Sequence, residues 1–216
     1  MGQESDIIAT DIEVWAWSRR FGVAFDRLLG VEGGHVNDPV DRGGETKYGI
    51  SLRFLASEGR IDLDADGIAD FDLDMDGDID GADIRKLTIG DARYLYHRCF
   101  WRRLDIELLP RPIGEMVFDQ AVNGGARAAG KMLQQSINAL LFAGQPKLVV
   151  DGVIGPATRS ELAQLLEQPH PGMPGLVGAF RDAAKLRYRA IASADPSQNR
   201  FLKGWLRRAD ELGRNW

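Results

Sequence analysis

Glu32 stands directly before Gly33 and Gly34, Asp41 follows nine residues later, and Thr46 comes just after a second Gly-Gly, all within the stretch EGGHVNDPVDRGGETKYGIS of residues 32–51. Two carboxyl groups across a gap are what splitting a glycosidic bond requires: one protonates the leaving oxygen while the other activates water. A glutamate at the end of an apolar helix rests its stem on a core and its head at a cleft. Burial there raises its pKa and keeps it protonated, as a general acid must be. A hydroxyl at position 46 can hold the water, and the glycines let a bulky substrate approach the backbone. The same residues fit a plainer arrangement, with Glu32 capping or pairing with a nearby arginine and DPVDRGG forming a turn, and spacing alone leaves both open.

A second set of carboxylates is denser. Residues 62–83, DLDADGIADFDLDMDGDIDGAD, hold ten Asp and no Lys or Arg. Asp72, Asp74, Asp76, Asp78, Asp80 and Asp83 fall at positions 1, 3, 5, 7, 9 and 12 of an EF-hand loop, with Gly77 at position 6 and Ile79 at position 8. At position 7 the Asp78 carbonyl would be the ligand, and Asp80 would act through water. Asp83 stands where a bidentate Glu is usual, so its reach is shorter and a weaker hold on Ca²⁺ is expected. The earlier half, Asp62, Asp64, Asp66, Gly67 and Asp70, begins in the same way, but its position 12 falls on Leu73. It reads as an incomplete hand for a second ion. The alternative is a solvated acidic loop with no specific ion, against which stand the mutual repulsion of ten carboxylates and the glycine at the required place.

Helices must carry these groups. Val14, Trp17, Phe21, Phe25, Leu28 and Leu29 recur at helical spacing, predicting an amphipathic helix over 11–31 that delivers Glu32. Six Gly or Pro in residues 33–49 end it in a loop or small hairpin. Helical periodicity returns in ISLRFLASEGR. After the acidic block, Thr88 and Asp91 form a capping-box start for a helix that turns Ala92, Leu95, Tyr96 and Cys99 inward. RPIGEMVFDQAVNGG, RAAGKMLQQSINALLF, GPATRSELAQLLEQ and GLVGAFRDAAKLRYRAIASA read as further helices, and little alternates with period two. The fold expected is mainly α with one small hairpin. The clearest composition break is AGQPKLVVDG at 143–152, and a helical C-terminal subdomain is expected to begin between about 127 and 150.

The chain has 216 residues, is 44% hydrophobic and carries a net charge of −5. Removing the acidic block leaves −5 − (−10) = +5, so two opposite electrostatic characters share one sequence. No run approaches the length of a membrane span, and MGQESDIIATDIEVW has neither a basic nor an apolar region of a secretory signal, so synthesis in the cytoplasm and exit by another route are expected. Cys99 has no partner in the chain and is expected to be a small buried hydrophobe. Residues 178–216 hold nine Lys or Arg against four Asp or Glu, interleaved with Phe180, Tyr188, Phe201, Trp205 and Trp216. This is a packing helix with a basic face, or a surface drawn to anionic wall polymers or membrane lipid. No DNA- or RNA-binding motif accompanies the charge, so a nucleic-acid partner is not expected, and a monomer is.

The stretch at 32–51, FW at 100–101, FDQAVNGG at 118–125, LQQSIN and DGVIGPATRSEL together resemble glycoside hydrolase family 108, in the same order over most of the chain. Members are peptidoglycan-cleaving N-acetylmuramidases of phage endolysins and secretion-associated lysozymes, with a C-terminal predicted peptidoglycan-binding region. The resemblance implies a lysozyme-like α+β catalytic domain over 1–126, interrupted by the EF-hand-like insertion at 60–88, and a peptidoglycan-binding-like region over 127–216. The Glu, Asp, Thr order is also similar to that of phage lysozymes. Carried over by motif, Glu32 is the acid, Asp41 the base or water-positioning carboxylate and Thr46 its helper, although Thr46 lies one residue closer than in that pattern. Where other family members usually have Tyr after EGG, this chain has His35, to which no chemistry is assigned. Tyr48 and Asn123 suit sugar hydroxyls and are expected to line the groove, or else to be satisfied buried polar groups. The implied enzyme lyses a host cell after release to the periplasm or cell wall. Rival readings are a lytic transglycosylase working through Glu32 alone, against which Asp41 and Thr46 argue, and a non-catalytic Ca²⁺-dependent wall-binding protein.

Overall fold

The computed structural model describes residues 17–29 and 44–214. Glu32, His35 and Asp41 lie outside these residues. The chain divides into two compact units, Met1–Trp101 and Arg102–Trp216.

In the first unit, helix α1 (Arg19–Leu29) buries Phe21, Ala24 and Phe25. Ser18 starts it, its hydroxyl accepting from the Phe21 amide at 3.0 Å. Strands β1 (Thr46–Lys47) and β2 (Ile50–Ser51) pair antiparallel, Thr46 opposite Ser51 and Lys47 opposite Ile50. The two turn residues, Tyr48 and Gly49, both have positive φ, 51° and 76°, the type I′ geometry whose twist matches the strands it joins. Ser51 ends the hairpin and caps α2 (Leu52–Glu58). The acidic stretch then leads into α3 (Gly81–Lys86) and α4 (Ile89–Tyr96). The expected Thr88–Asp91 capping box is formed in both directions. Beyond Tyr96 the chain continues as a π-helix over His97–Arg102. Aromatic rings fill the core, Phe21 against Trp101 at 5.3 Å, Phe25 against Tyr96 at 5.7 Å and Phe54 against Phe100 at 5.3 Å. Cys99 is buried and lies outside any disulfide.

The second unit is helical among its described residues. A 3₁₀ turn (Ile106–Leu108) precedes α5 (Ile113–Gly124), α6 (Ala126–Leu140), α7 (Pro156–Glu167) and α8 (Gly172–Ala194). The basic C-terminal stretch is two helices rather than one. Asp195 and Pro196 stop α8, the Asp195 carboxylate accepting from the Ser197 amide, and a 3₁₀ turn (Pro196–Gln198) redirects the chain into α9 (Asn199–Glu211). Helix α8 packs on both α6 and α9, and α6 on α5. Among the described residues no helix is long and apolar enough to cross a membrane.

Candidate active site

Two of the residues picked for chemistry lie on the hairpin. Thr46 begins β1, and its hydroxyl donates to the Gly44 carbonyl at 3.1 Å. That bond orients the oxygen and leaves its lone pairs open to a water. Tyr48 holds a left-handed conformation that costs a side-chain-bearing residue about 1–2 kcal/mol. Its carbonyl is pinned by the Tyr96 hydroxyl at 3.1 Å. The Lys47 ammonium lies 5.4 Å from the Tyr48 ring centroid. Gly49 has to be glycine, because a Cβ there would fall 2.3 Å from the Tyr96 hydroxyl oxygen.

Glu45 and Arg85 form a pair beside Thr46 that sequence reasoning passed over. Arg85 Nη1 donates to both oxygens of Glu45, at 3.2 and 3.0 Å. The only signal in the sequence was a further carboxylate directly before Thr46.

The acidic stretch folds as two similar turns. In the second, both Asp72 oxygens accept backbone amides, from Asp76 at 3.2 Å and from Gly77 at 2.8 Å. Asp83 is fully buried and does the same for Leu73 at 2.6 Å and Asp80 at 2.8 Å. Asp80 and Asp83 form the capping box that starts α3. The first turn repeats the pattern more loosely: Asp62 accepts from Gly67 at 3.1 Å, and Asp70 takes the place of Asp83 by accepting from Leu63 at 3.1 Å. Ala65 and Met75 are left-handed at matching places, as are Gly67 and Gly77.

Ligand oxygens from Asp72, Asp74 and Asp76 come within 4.8 Å of one another, as do those of Asp78, Asp80 and Asp83, and those of the exposed Asp62, Asp64 and Asp66. A carboxylate has about four lone-pair sites, so the amide bonds made by Asp72 and Asp83 leave room for a cation. Asp74 Oδ1 is buried and has no hydrogen-bond partner, while Lys86 lies 3.8 Å from its other oxygen. Desolvation, then Asp76, push the Asp74 carboxyl above the ordinary Asp value. Asp78 is raised first by Asp76 and then by desolvation, and Asp70 by burial ahead of Asp64, Asp62 and Asp66. The oxygen-only donor set, the shared negative charge and the buried partnerless oxygen suit a hard divalent cation in the second turn. In the first turn the exposed triad lacks a carboxylate at position 12.

The FDQAVNGG segment forms most of α5. Gln120 is fully buried, and the Tyr188 hydroxyl donates to its Oε1 at 3.1 Å. Burial chiefly holds that phenol above its ordinary pKa. Asn123 is exposed rather than a buried polar group, and its amide donates to the Asp119 carbonyl at 2.8 Å. The LQQSIN segment has a structural task. Gln134 donates to Asp151 at 2.7 Å and accepts from the Gly152 amide at 2.7 Å, and Asn138 brackets Leu148 on both its amide and its carbonyl at 2.8 Å. Gln134 thus fastens the DGVIG loop to α6, and Asn138 the segment just before it.

Residues 25–125 match the family described as Glycosyl hydrolase 108, and residues 128–210 match that described as Predicted Peptidoglycan domain. Ten chains of solved structures are similar. One of them, the structure of Brucella abortus SagA, is 23% identical with a TM-score of 0.62, covering 91% of this chain and 97% of that one. The likeness is one of fold, a lysozyme-like α+β arrangement with a small hairpin. A comparison with curated proteins found no match.

Proposed function

We propose that this chain, which matches glycosyl hydrolase family 108 over residues 25–125 and a predicted peptidoglycan domain behind it, as a glycoside hydrolase of peptidoglycan does, is an N-acetylmuramidase. It cleaves the β-1,4 bond between N-acetylmuramic acid and N-acetylglucosamine. Glu32 protonates the leaving oxygen, Asp41 activates or positions water, and Thr46 holds that water. Tyr48 and Asn123 contact sugar hydroxyls. The observation that carries this reading is the family match over 25–125, which encloses the Glu32, Asp41 and Thr46 segment. The strained Tyr48 turn beside Thr46 supports it, since such conformations concentrate at functional sites.

The turn of Asp72, Asp74, Asp76, Asp78, Asp80 and Asp83 holds one Ca²⁺, and the Asp62, Asp64, Asp66 and Asp70 turn is a weaker second site. Cytosolic Ca²⁺ is low and extracytoplasmic Ca²⁺ high, so the loop becomes ordered where the substrate is. This suits an endolysin that is made in a phage's host cytoplasm and acts on the wall after release. The C-terminal helices add contact with anionic wall polymer or membrane lipid. Supporting it, the exposed Phe201 stacks on the half-buried Trp205 at 5.8 Å, with Arg200 over Phe201 at 4.4 Å, a face suited to sugar rings and carboxylates.

The test is mass spectrometry of the soluble products from purified peptidoglycan with Ca²⁺ present, comparing wild type with Glu32→Gln. Reducing-end N-acetylmuramic acid that vanishes in the variant is expected. Anhydro-sugar products would move the chain to the lytic transglycosylases, and no release by wild type would leave a wall-binding protein.

A further inference from the structure

Residues 45 and 47, which flank Thr46, are both bound by one residue. Arg85 takes the Glu45 carboxylate with its guanidinium, and its backbone carbonyl accepts from the Lys47 ammonium. The Glu45 side chain is 10% exposed and that of Arg85 57%, so the carboxylate is shielded while solvent reaches the pair from the arginine side. At the other end of α3, a Cβ on Gly81 would fall 2.6 Å from Glu45 Oε2, so the helix start is glycine where the carboxylate closes over it. Helix α3 itself begins in the capping box of Asp80 and Asp83, and Asp83 also holds the Leu73 amide at the head of the acidic turn. A continuous path of bonded groups runs from that turn through α3 to both sides of Thr46.

We propose that Arg85 and Glu45 are positioning residues for the hydrolysis, fixing the hairpin of Thr46 and Tyr48 to the helix that closes the acidic turn. The proposal rests on the reading that this hairpin serves the reaction. Neither residue touches substrate. Their effect passes through the backbone of β1, where the Glu45 carbonyl accepts from the Leu52 amide at 2.8 Å and so joins the two ends of the hairpin. Losing the guanidinium removes one anchor of residue 45, and the Thr46 oxygen then samples more often the orientations in which it does not hold a water.

The experiment uses the full chain and compares wild type with Arg85→Met, which keeps an aliphatic stem, and Arg85→Lys, which keeps the charge. Amide hydrogen exchange at Leu52 reads the clamp, and kcat and KM on soluble peptidoglycan fragments read its use. For Arg85→Met, exchange at Leu52 is expected to rise about threefold to tenfold with protection in α4 unchanged. kcat is expected to fall by a similar factor while KM stays within about twofold, and Arg85→Lys to recover part of both. Leu52 exchange equal to wild type in Arg85→Met would overturn the proposal, as would a fall in kcat accompanied by equal loss of protection throughout α4. A wild type that releases no sugar would sink the muramidase reading alone, because Leu52 exchange still decides whether the clamp exists.

Discussion

Asp119 and Arg208, 89 positions apart, hold each other through two hydrogen bonds, from Arg208 Nε at 3.2 Å and Nη2 at 2.8 Å. The pair joins α5 to α9, and the two guanidinium nitrogens present a fork that a lysine ammonium does not have. Because the side chains are 20% and 39% exposed, solvent screens part of the attraction. Arg208→Ala, Asp119→Ala and the double variant, compared by urea unfolding, are expected to show a coupling of about 1 kcal/mol. Arg208→Lys should lose most of it. Strictly additive losses would mean that the pair contributes nothing to stability.

Two glycines should respond to alanine with opposite signs. A Cβ on Gly130 would lie 2.1 Å from the Gly152 carbonyl oxygen, so Gly130→Ala forces α6 away from the DGVIG loop and should cost about 1–3 kcal/mol. Gly204 lies in α9 with nothing within 4 Å of a built Cβ, so Gly204→Ala should gain up to about 1 kcal/mol of stability. Thermal unfolding of the two variants checks both signs.

Asp74 is the sharpest probe of the cation loop. Its Oδ1 makes no hydrogen bond, so Asp74→Asn removes charge without unmaking structure at that atom. In chelator the variant should melt higher than wild type, because like charges are relieved. With Ca²⁺ at about a hundred times the dissociation constant, wild type should gain about 2.7 kcal/mol and the variant little of it. Calorimetry in EDTA and in Ca²⁺ separates the cases, and an equal Ca²⁺ response from both proteins would remove Asp74 from the ligand set. Asp62→Asn should leave the main response in place.

The same carboxylates set an unusual pH dependence in chelator. Asp70, Asp74 and Asp78 have folded pKa values above the ordinary Asp value, so just above that pH the folded chain binds more protons than the unfolded one. Stability must therefore rise as pH falls from neutral into that window. Asp151 is held below 3.8, first by the Gln134 amide and then by the Val153 amide, so its contribution is present above the unfolded value and is lost as pH falls through the folded one. The profile should peak close to the ordinary Asp pKa. Asp151→Asn should flatten the acid side, and Ca²⁺ should abolish the rise on the other.

What could be read from the sequence was what neighbouring residues dictate. The Thr88–Asp91 box, the glycines at 67 and 77 and the helix from Ala126 depend on residues a turn apart, and the structure contains all of them. Strands of two residues are too short to show a period, so only turn-forming residues announced the hairpin. The Glu45–Arg85 and Gln120–Tyr188 contacts span 40 and 68 positions, and nothing in a lone Glu or Gln says which distant Arg or Tyr will meet it. Asp83 was legible as a candidate ligand, but its task as the cap of α3 appears only with the backbone in place.

The family segment that ends at residue 125 includes α5, and α5 is fastened by Tyr188 and Arg208 of the segment that follows. The seam between family segments and the seam between compact units are therefore different places, one near 126 and the other after Trp101. A gene fusion made at the first seam would give each parent's α5 a stranger's helices to close on. Exchange of tails among such enzymes is open only to partners that already match at these contacts, or to crossovers that carry everything from Arg102 onward as one piece.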